Sequence, residues 1–465
     1  MSLWKKILFN LPEVAGPVKK RLTFKEKLKW TLIILILFFV LGLIPLFGLG
    51  NNALQRFELL SVIIGAKFGS IISLGIGPIV TASIVLQLLN GSGLVKFDLT
   101  TKDGKKNFQG VQKILSILFI LFEGAIYVFM GGLAPPEQFA GTPVFFQLQL
   151  LLVLQLFLGG LLIMFMDEVV SKWGFGSGIS LFIAAGVSQS LFIRILSPLP
   201  SPTNPTGFAS GAIPALFQSL GAGDPTTAIL MIAGILSTVV VFVMAVYSQA
   251  MKVEIPLSFG RVRGQGIRWP LSFIYTSNIP VILVSALIAN IQLWARLLQN
   301  WGFPILGTFV GNSPASGLVR WVHAPNLVGK IIRGSVTFAD FGHASIYIIF
   351  LIGGSVLFSW FWVQTSGMDA KSQAKQIMAS GLQIPGFRND KRVLERLLDR
   401  YIKPLTIMGA IAVGLLAGLA DISGALTHGT GLLLTVMIIY RLYEEIAKEH
   451  MMDMNPMMRK FMGGG

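Results

Sequence analysis

Long apolar stretches recur along the chain, near 30–49, 71–90, 111–131, 145–166, 178–196, 227–247, 274–294, 344–364, 404–422 and 427–443, with polar segments between them. Each approaches the roughly 20 residues that a helix needs to cross a hydrocarbon core. No water is available there to satisfy backbone N–H and C=O groups, so a helix that closes its own hydrogen bonds is the structure these stretches adopt. The pattern therefore predicts about ten spans, of which 178–196 and 427–443 are short and rich in glycine. One segment breaks the pattern. In NALQRFELLSVIIGAKFGS (52–70), Arg56, Glu58, Lys67 and the glycines at 65 and 69 leave no run long enough to span, although the segment is apolar enough to enter a membrane.

Charge turns the spans into a topology. Only 12% of the 465 residues are charged against 53% hydrophobic, where a soluble domain carries about 25% charged residues. If the N-terminus is cytoplasmic, alternate loops place 30 of the 37 Lys and Arg residues on that side and leave Arg56, Lys67, Arg194, Arg296, Arg320, Lys330 and Arg333 outside. The positive-inside bias then predicts that both termini are cytoplasmic. No cleavable signal peptide is expected, because the first apolar run follows a basic segment and is too long for an h-region of about 7–15 residues. The chain has no Cys, which excludes disulfides and thiolate metal sites. The net charge of +16 suits a polyanionic partner or anionic lipid.

Catalytic chemistry finds little to stand on. The four His residues, at 323, 343, 428 and 450, are not spaced with one another or with carboxylates as zinc ligands are. GFGSGIS (174–180) lacks the Lys-Ser/Thr end of a phosphate loop, and Ser177 has no local support as a nucleophile paired with His343 or His428. No metal, no cofactor and no enzymatic activity are expected. One function class that stays open is a secondary transporter of inverted-repeat architecture. Ion coupling places ionisable groups at mid-membrane depth, and here only Glu123 lies well inside a span, with Asp167 and Glu168 at an interface.

Ten spans divide into two sets of five, and an odd number turns the second set upside down relative to the first. The expected organisation is a cytoplasmic segment 1–29, an N-terminal half 30–196, an external hinge loop 197–225, a C-terminal half 226–443 and a cytoplasmic tail 444–465. The C-terminal half includes cytoplasmic loops 248–273 and 365–403.

Several stretches carry a resemblance. GIGPIVTASIVLQLL (75–89), FEGAIYV (122–128), WGFGSGISLFIAAGVS (173–188), YTSNIPVILVSALIAN (275–290) and GTGLLLTVMIIYRLYEEI (429–446) resemble, in order, the SecY family of channel subunits of the Sec protein translocon. GRVRGQG and YTSNIPVIL are similar to its archaeal and eukaryotic branch. The resemblance implies an all-α polytopic membrane protein, with two inverted five-helix halves around a central pore. It also implies a lateral gate between the second and seventh spans, beside the third and eighth. The activity it implies is passage of unfolded polypeptides across a membrane, with sideways release of apolar segments into lipid.

Site residues follow from the same resemblance. The non-spanning segment, about 53–68, matches the position of an external plug, with Arg56, Phe57, Glu58, Leu59, Leu60, Ile63 and Ile64 as its residues. An apolar pore ring falls on Ile76 and Val80, Ile179 and Ile183, Ile282, and Leu433, whose neighbours Leu432 and Leu434 compete for the same place. The i,i+4 spacing of 76/80 and 179/183 puts each pair on one helix face. Thr81, Glu123 and Asn290 match a polar set near gate and plug. Two basic cytoplasmic loops resemble ribosome-docking loops, through Arg261, Arg263 and Arg268 in the first and Arg388, Lys391 and Arg392 in the second; basic tips suit RNA phosphates. The implied partners are a single-span SecE-type subunit, a small beta-type subunit, the ribosome, signal sequences and nascent polypeptides, and membrane lipid. The implied location is the plasma membrane.

Overall fold

The structure is a computed structural model and describes residues 11–18, 22–52, 67–91, 94–95, 97, 101–200, 208–259, 266–276, 279–310, 313–379, 382–383, 391–427 and 429–454. Ten long helices stand among the described residues: α1 (Phe24–Leu41), α2 (Gly77–Gly91), α3 (Lys102–Phe129), α4 (Pro143–Trp173), α5 (Gly178–Leu196), α6 (Pro225–Ala250), α7 (Ile279–Asn300), α8 (Phe338–Thr365), α9 (Lys391–Ile422) and α10 (Gly429–Met454). Each falls on one of the ten apolar stretches. Seven are long and apolar enough to cross a membrane by length and composition. The others are α1, with four charges in its first turns, α2, only 15 residues long, and α10, whose second half is charged.

Boundaries differ from the apolar stretches where capping overrides hydropathy. α1 starts at Phe24 because Thr23 accepts from the Glu26 N–H while the Glu26 carboxylate accepts from the Thr23 N–H. It stops at Leu41, and the apolar run that continues to residue 49 forms turns. α9 begins at Lys391, well before its apolar stretch, so its basic first turns stand clear of the span.

Both chain ends gather on one face. Lys27 pairs with Glu449 at 2.8 Å, and Phe24 meets His450 at 5.4 Å. The N-terminal segment is strapped to the end of α4, where the Val14 N–H donates to Glu168 and the Trp173 indole donates to the Ala15 carbonyl. Glu13 pairs there with Lys172 at 2.5 Å, and that hydrogen bond holds its carboxyl below the usual range. The α4–α5 corner therefore lies on the face of the termini. The α9–α10 corner, at the opposite end of α10, lies on the other face. Equivalent corners of the two halves are thus inverted.

The halves meet along two seams. On one, α2 packs against α7 and α8, and Phe122 of α3 reaches Trp294 of α7 at 6.0 Å. On the other, α1 and α5 pack against α10, close to the chain connection through the short helix Ala212–Gly221. One buried apolar cluster runs through both halves.

A second cluster was not anticipated. The polar connections after α6 and α8, read from the sequence as loops, form a platform with its own core. Strand β1 (Lys252–Phe259) pairs antiparallel with β2 (Gly266–Ser272), and β3 (Leu382–Gln383) adds to its far edge. Ile255, Leu271 and Tyr275 pack there on Ala374, Leu394 and Leu398. The Tyr275 hydroxyl donates to the Met368 carbonyl at 2.7 Å, and burial, with the nearby Asp369 charge, pushes its phenol above the usual tyrosine range.

Candidate functional site

Apolar residues from both halves converge at the base of a cavity. Val80 of α2, Ile179 of α5 and Ile282 of α7 line a space of about 450 Å³ whose upper wall is polar, with Ser83, Gln87, Lys105, Gln109 and Ser366. Lys105 opens α3 and Ser366 follows α8, so the cavity descends from the face of the termini. Ile76 and Ile183 lie one turn further in along their own segments and are 1% exposed. Ile76 sits in the turn preceding α2 and anchors its start, its carbonyl accepting from the N–H groups of Ile79 and Val80. The arrangement is a polar funnel floored by aliphatic side chains.

Leu433 does not join this floor. It faces α6 and α9, lining an apolar cleft with Ala233, Val240 and Leu416. On α10 the residues aimed at α5 are Gly431, where a Cβ would lie 3.4 Å from Val187, and Ile438, which shares a pocket with Ser180 and Leu181. At 100° per residue Leu433 stands about 160° from Gly431, whereas Leu434 falls on the 431/438 stripe. Leu434 is buried on that stripe. Three consecutive leucines gave the sequence no means of choosing between them; helical phase against a known contact does.

The polar set is assembled across the first seam. The Asn290 amide of α7 donates to the Thr81 hydroxyl of α2 at 2.9 Å, and that hydroxyl donates to the Gly77 carbonyl. Glu123 of α3 is buried; its carboxyl interacts with Thr81, and its Oε2 has no hydrogen-bond partner among the described residues. Above it, Gln112 of α3 donates to the Ser83 hydroxyl at 2.6 Å. Ser177, by contrast, is brought nowhere near a histidine base. It lies 3.5 Å from Asp167 at the α4–α5 corner, while His343 is bound to the Arg320 carbonyl beyond the opposite ends of the helices.

Two residues the sequence reading did not weigh as a pair organise the inverted corners. Asp167 of α4 accepts from the Ile179 N–H at 3.0 Å and so caps α5. Asp421 of α9 accepts from the Thr430 N–H at 2.8 Å and from the Thr430 hydroxyl, and so caps α10. In both corners a glycine permits the approach: a Cβ on Gly178 would lie 2.6 Å from Asp167 Cα, and one on Gly429 would lie 2.0 Å from the Ala420 carbonyl carbon. In sequence the two corners share only an Asp near the end of an apolar run followed by a glycine at the next helix start, Asp167 with Gly178 and Asp421 with Gly429.

The plug residues Arg56, Phe57, Glu58, Leu59, Leu60, Ile63 and Ile64 lie outside the described residues, as do Arg261, Arg263 and Arg388. Their flanks are placed. Asn51–Asn52 pairs with Leu133–Ala134, and the chain returns at Lys67 beside the turn that carries Ile76. Arg268 lies on β2, Lys391 opens α9, and Arg392 is exposed on the platform.

Ten helices in two inverted sets, meeting at a polar funnel with an aliphatic floor, define a polytopic membrane protein built around a central conduit. Residues 70–443 match the family model of SecY, and the chain belongs to the SecY family. It is 46% identical to the protein translocase subunit SecY of Methanothermobacter thermautotrophicus, over 97% of each chain. Among solved structures it is similar to a protein-conducting channel (42% identity, TM-score 0.81, 96% of this chain and 97% of that one). It is also similar to Sec61 of a canine ribosome–channel complex from the endoplasmic reticulum (42% identity, TM-score 0.78, with the same coverage). A further neighbour, 43% identical with TM-score 0.81 over 96% of this chain and 97% of that one, is a SecY whose plug domain stabilises the closed state and maintains a membrane seal.

Proposed function

We propose that this chain is a protein-conducting channel that passes unfolded polypeptides through the funnel and releases apolar segments sideways between α2 and α7. The observation that carries this reading is the join between the halves: an aliphatic floor beneath a polar funnel, beside a seam held by the Asn290–Thr81 pair. Aliphatic side chains deter ions by excluding water and offer no adhesive site to a moving chain. They part without breaking hydrogen bonds, which suits cargo of every sequence.

Ile76, Val80, Ile179, Ile183 and Ile282, with Leu434 in place of Leu433, form the ring in this reading. Residues 53–68 act as the plug, an assignment supported by flanks that leave and rejoin the fold next to Ile76. Both termini face the cytoplasm and the chain resides in the plasma membrane. The platform carrying Arg268, Lys391 and Arg392 receives the ribosome, with small single-span subunits of the SecE and beta types on the lipid-facing surface. The driving force is supplied by the cytosolic partner.

Site-specific photo-cross-linking to a secretory chain stalled in transit tests the reading. Probes at Ile76 and Ile183 react with the stalled chain, and a probe at Ile229, exposed on α6, reacts with lipid. Equal labelling of the secretory chain from all three sites would overturn it.

A further inference from the structure

A second cavity of about 550 Å³ lies at the opposite end of the molecule from the funnel. It is bounded by Arg194 at the end of α5, by segment 313–330, by the start of α8 and by the α9–α10 corner. Its acceptors are already engaged. Asp421 receives Tyr347, Thr430 N–H and the Thr430 hydroxyl; Asp340 receives Lys330 at 2.5 Å and the N–H and hydroxyl of Thr337. The Asn326 Oδ1 accepts from the Gly329 N–H, and the Arg320 carbonyl is bound to His343.

What remains unengaged among the described residues is donors. The Arg320 guanidinium and the Asn326 amide N–H₂ have no partner there, and the Thr427 hydroxyl is buried without one. An arginine fork and an amide at the exposed mouth and a buried hydroxyl, all lining one cavity, match an anion with three or more acceptor oxygens better than a two-oxygen carboxylate. We infer that this cavity binds a phosphate-bearing ligand. Its floor is formed by helix ends at the membrane edge, which admits either a free phosphate or a phospholipid headgroup. Arg194, on the cavity wall, comes from the N-terminal half and is engaged by the Leu426 carbonyl, while the unengaged donors all come from the C-terminal half.

The test uses the full chain with its native small subunits in nanodiscs. Orthophosphate is titrated calorimetrically in neutral-lipid discs, and retained phosphatidylglycerol is counted by native mass spectrometry. Arg320→Gln weakens binding by roughly tenfold or more, the scale of one charged hydrogen bond, and Thr427→Val weakens it less. Arg333→Gln, just beyond that segment and outside the cavity, leaves it unchanged. Arg320-dependent orthophosphate binding identifies a free-anion site; Arg320-dependent lipid retention alone identifies a headgroup site. If neither probe depends on Arg320, the inference is overturned.

Discussion

The two seams between the halves are built from different chemistry. Along the α5–α10 seam the contact is close and apolar: Gly431 brings α10 to within van der Waals reach of Val187, and Phe38 stacks on Phe182 at 4.7 Å behind it. This seam is fastened at both ends, by Lys27–Glu449 on one face and by the Arg194 guanidinium on the Leu426 carbonyl on the other. The α2–α7 seam has no chain connection nearby, and its centre is a side-chain pair, Asn290–Thr81, beside a carboxyl with an unpartnered oxygen. A seam of tight aliphatic packing loses its dispersion contacts steeply as it opens. A seam whose centre is one neutral hydrogen bond gives up less there, because interhelical polar contacts in membranes average about 0.6 kcal/mol. On the function proposed above, the first serves as a hinge and the second as a gate.

The contrast breaks most completely if the gate is tied shut. The chain has no native cysteine, so Thr81→Cys with Asn290→Cys supplies a unique thiol pair. A short bis-thiol cross-linker across this pair is expected to bring transport close to background. The same treatment of a pair placed across the hinge, at Val187 and Gly431, leaves most transport intact. Transport of a radiolabelled precursor into proteoliposomes measures both. Equal loss from the two cross-links would remove the distinction between hinge and gate.

The floor gives the next largest effect. Leu434→Asn puts a hydrogen-bonding group into the aliphatic ring, and single-channel recording is expected to show a raised ion leak. Leu433→Asn faces the α6–α9 cleft. It lowers thermal stability by about 1–3 kcal/mol, the cost of an unpaired buried polar group, without added leak. Leak from Leu433→Asn alone would restore the assignment made from the sequence.

Helix number and the inverted arrangement could be read from the chain because each rests on a local signal: apolar length marks the spans, and lysine and arginine mark the faces. The ring positions rest on the family resemblance; an aliphatic i,i+4 pair such as Ile179/Ile183 does not by itself tell a pore-facing stripe from a core-facing one. Leu433 failed because three leucines in a row have no phase of their own. The platform was missed because the apolar residues that fill it, Ile255, Leu271, Leu394 and Leu398, are scattered over two polar connections far apart in sequence and join only when β3 pairs with β1. Asp167 and Asp421 were opaque for the opposite reason. A carboxylate near a span end reads as an interface charge or a transporter's coupling group, and only the folded corner shows it capping the next helix. With Asp167 engaged as a cap, the case for ion coupling loses one of its candidate carboxylates.

The smallest effect is also the one that tests how the gate recognises cargo. Of the set Thr81, Glu123 and Asn290, the pair that crosses the seam is Asn290–Thr81, which holds it with about 1 kcal/mol, within the range of interhelical polar contacts (about 0.6 on average, about 1.7 at most). A signal segment with ten Leu-like residues gains on the order of 3–6 kcal/mol at the bilayer centre, so the guest outcompetes the clasp. Weakly apolar signals sit near the balance point. Thr81→Val with Asn290→Leu removes the hydrogen-bonded pair and replaces it with apolar surface of similar size, so the balance shifts by about 1 kcal/mol, or roughly fivefold in a partition ratio. Strong signals, already far past the balance, are transported as before. Weak signals, with two or three leucines replaced by alanine, gain severalfold in transport. A graded set of signals read in one proteoliposome assay gives the threshold directly. An unchanged threshold would mean that the seam is held by the packing of Phe122 on Trp294 and of α2 on α8, with the polar pair a bystander.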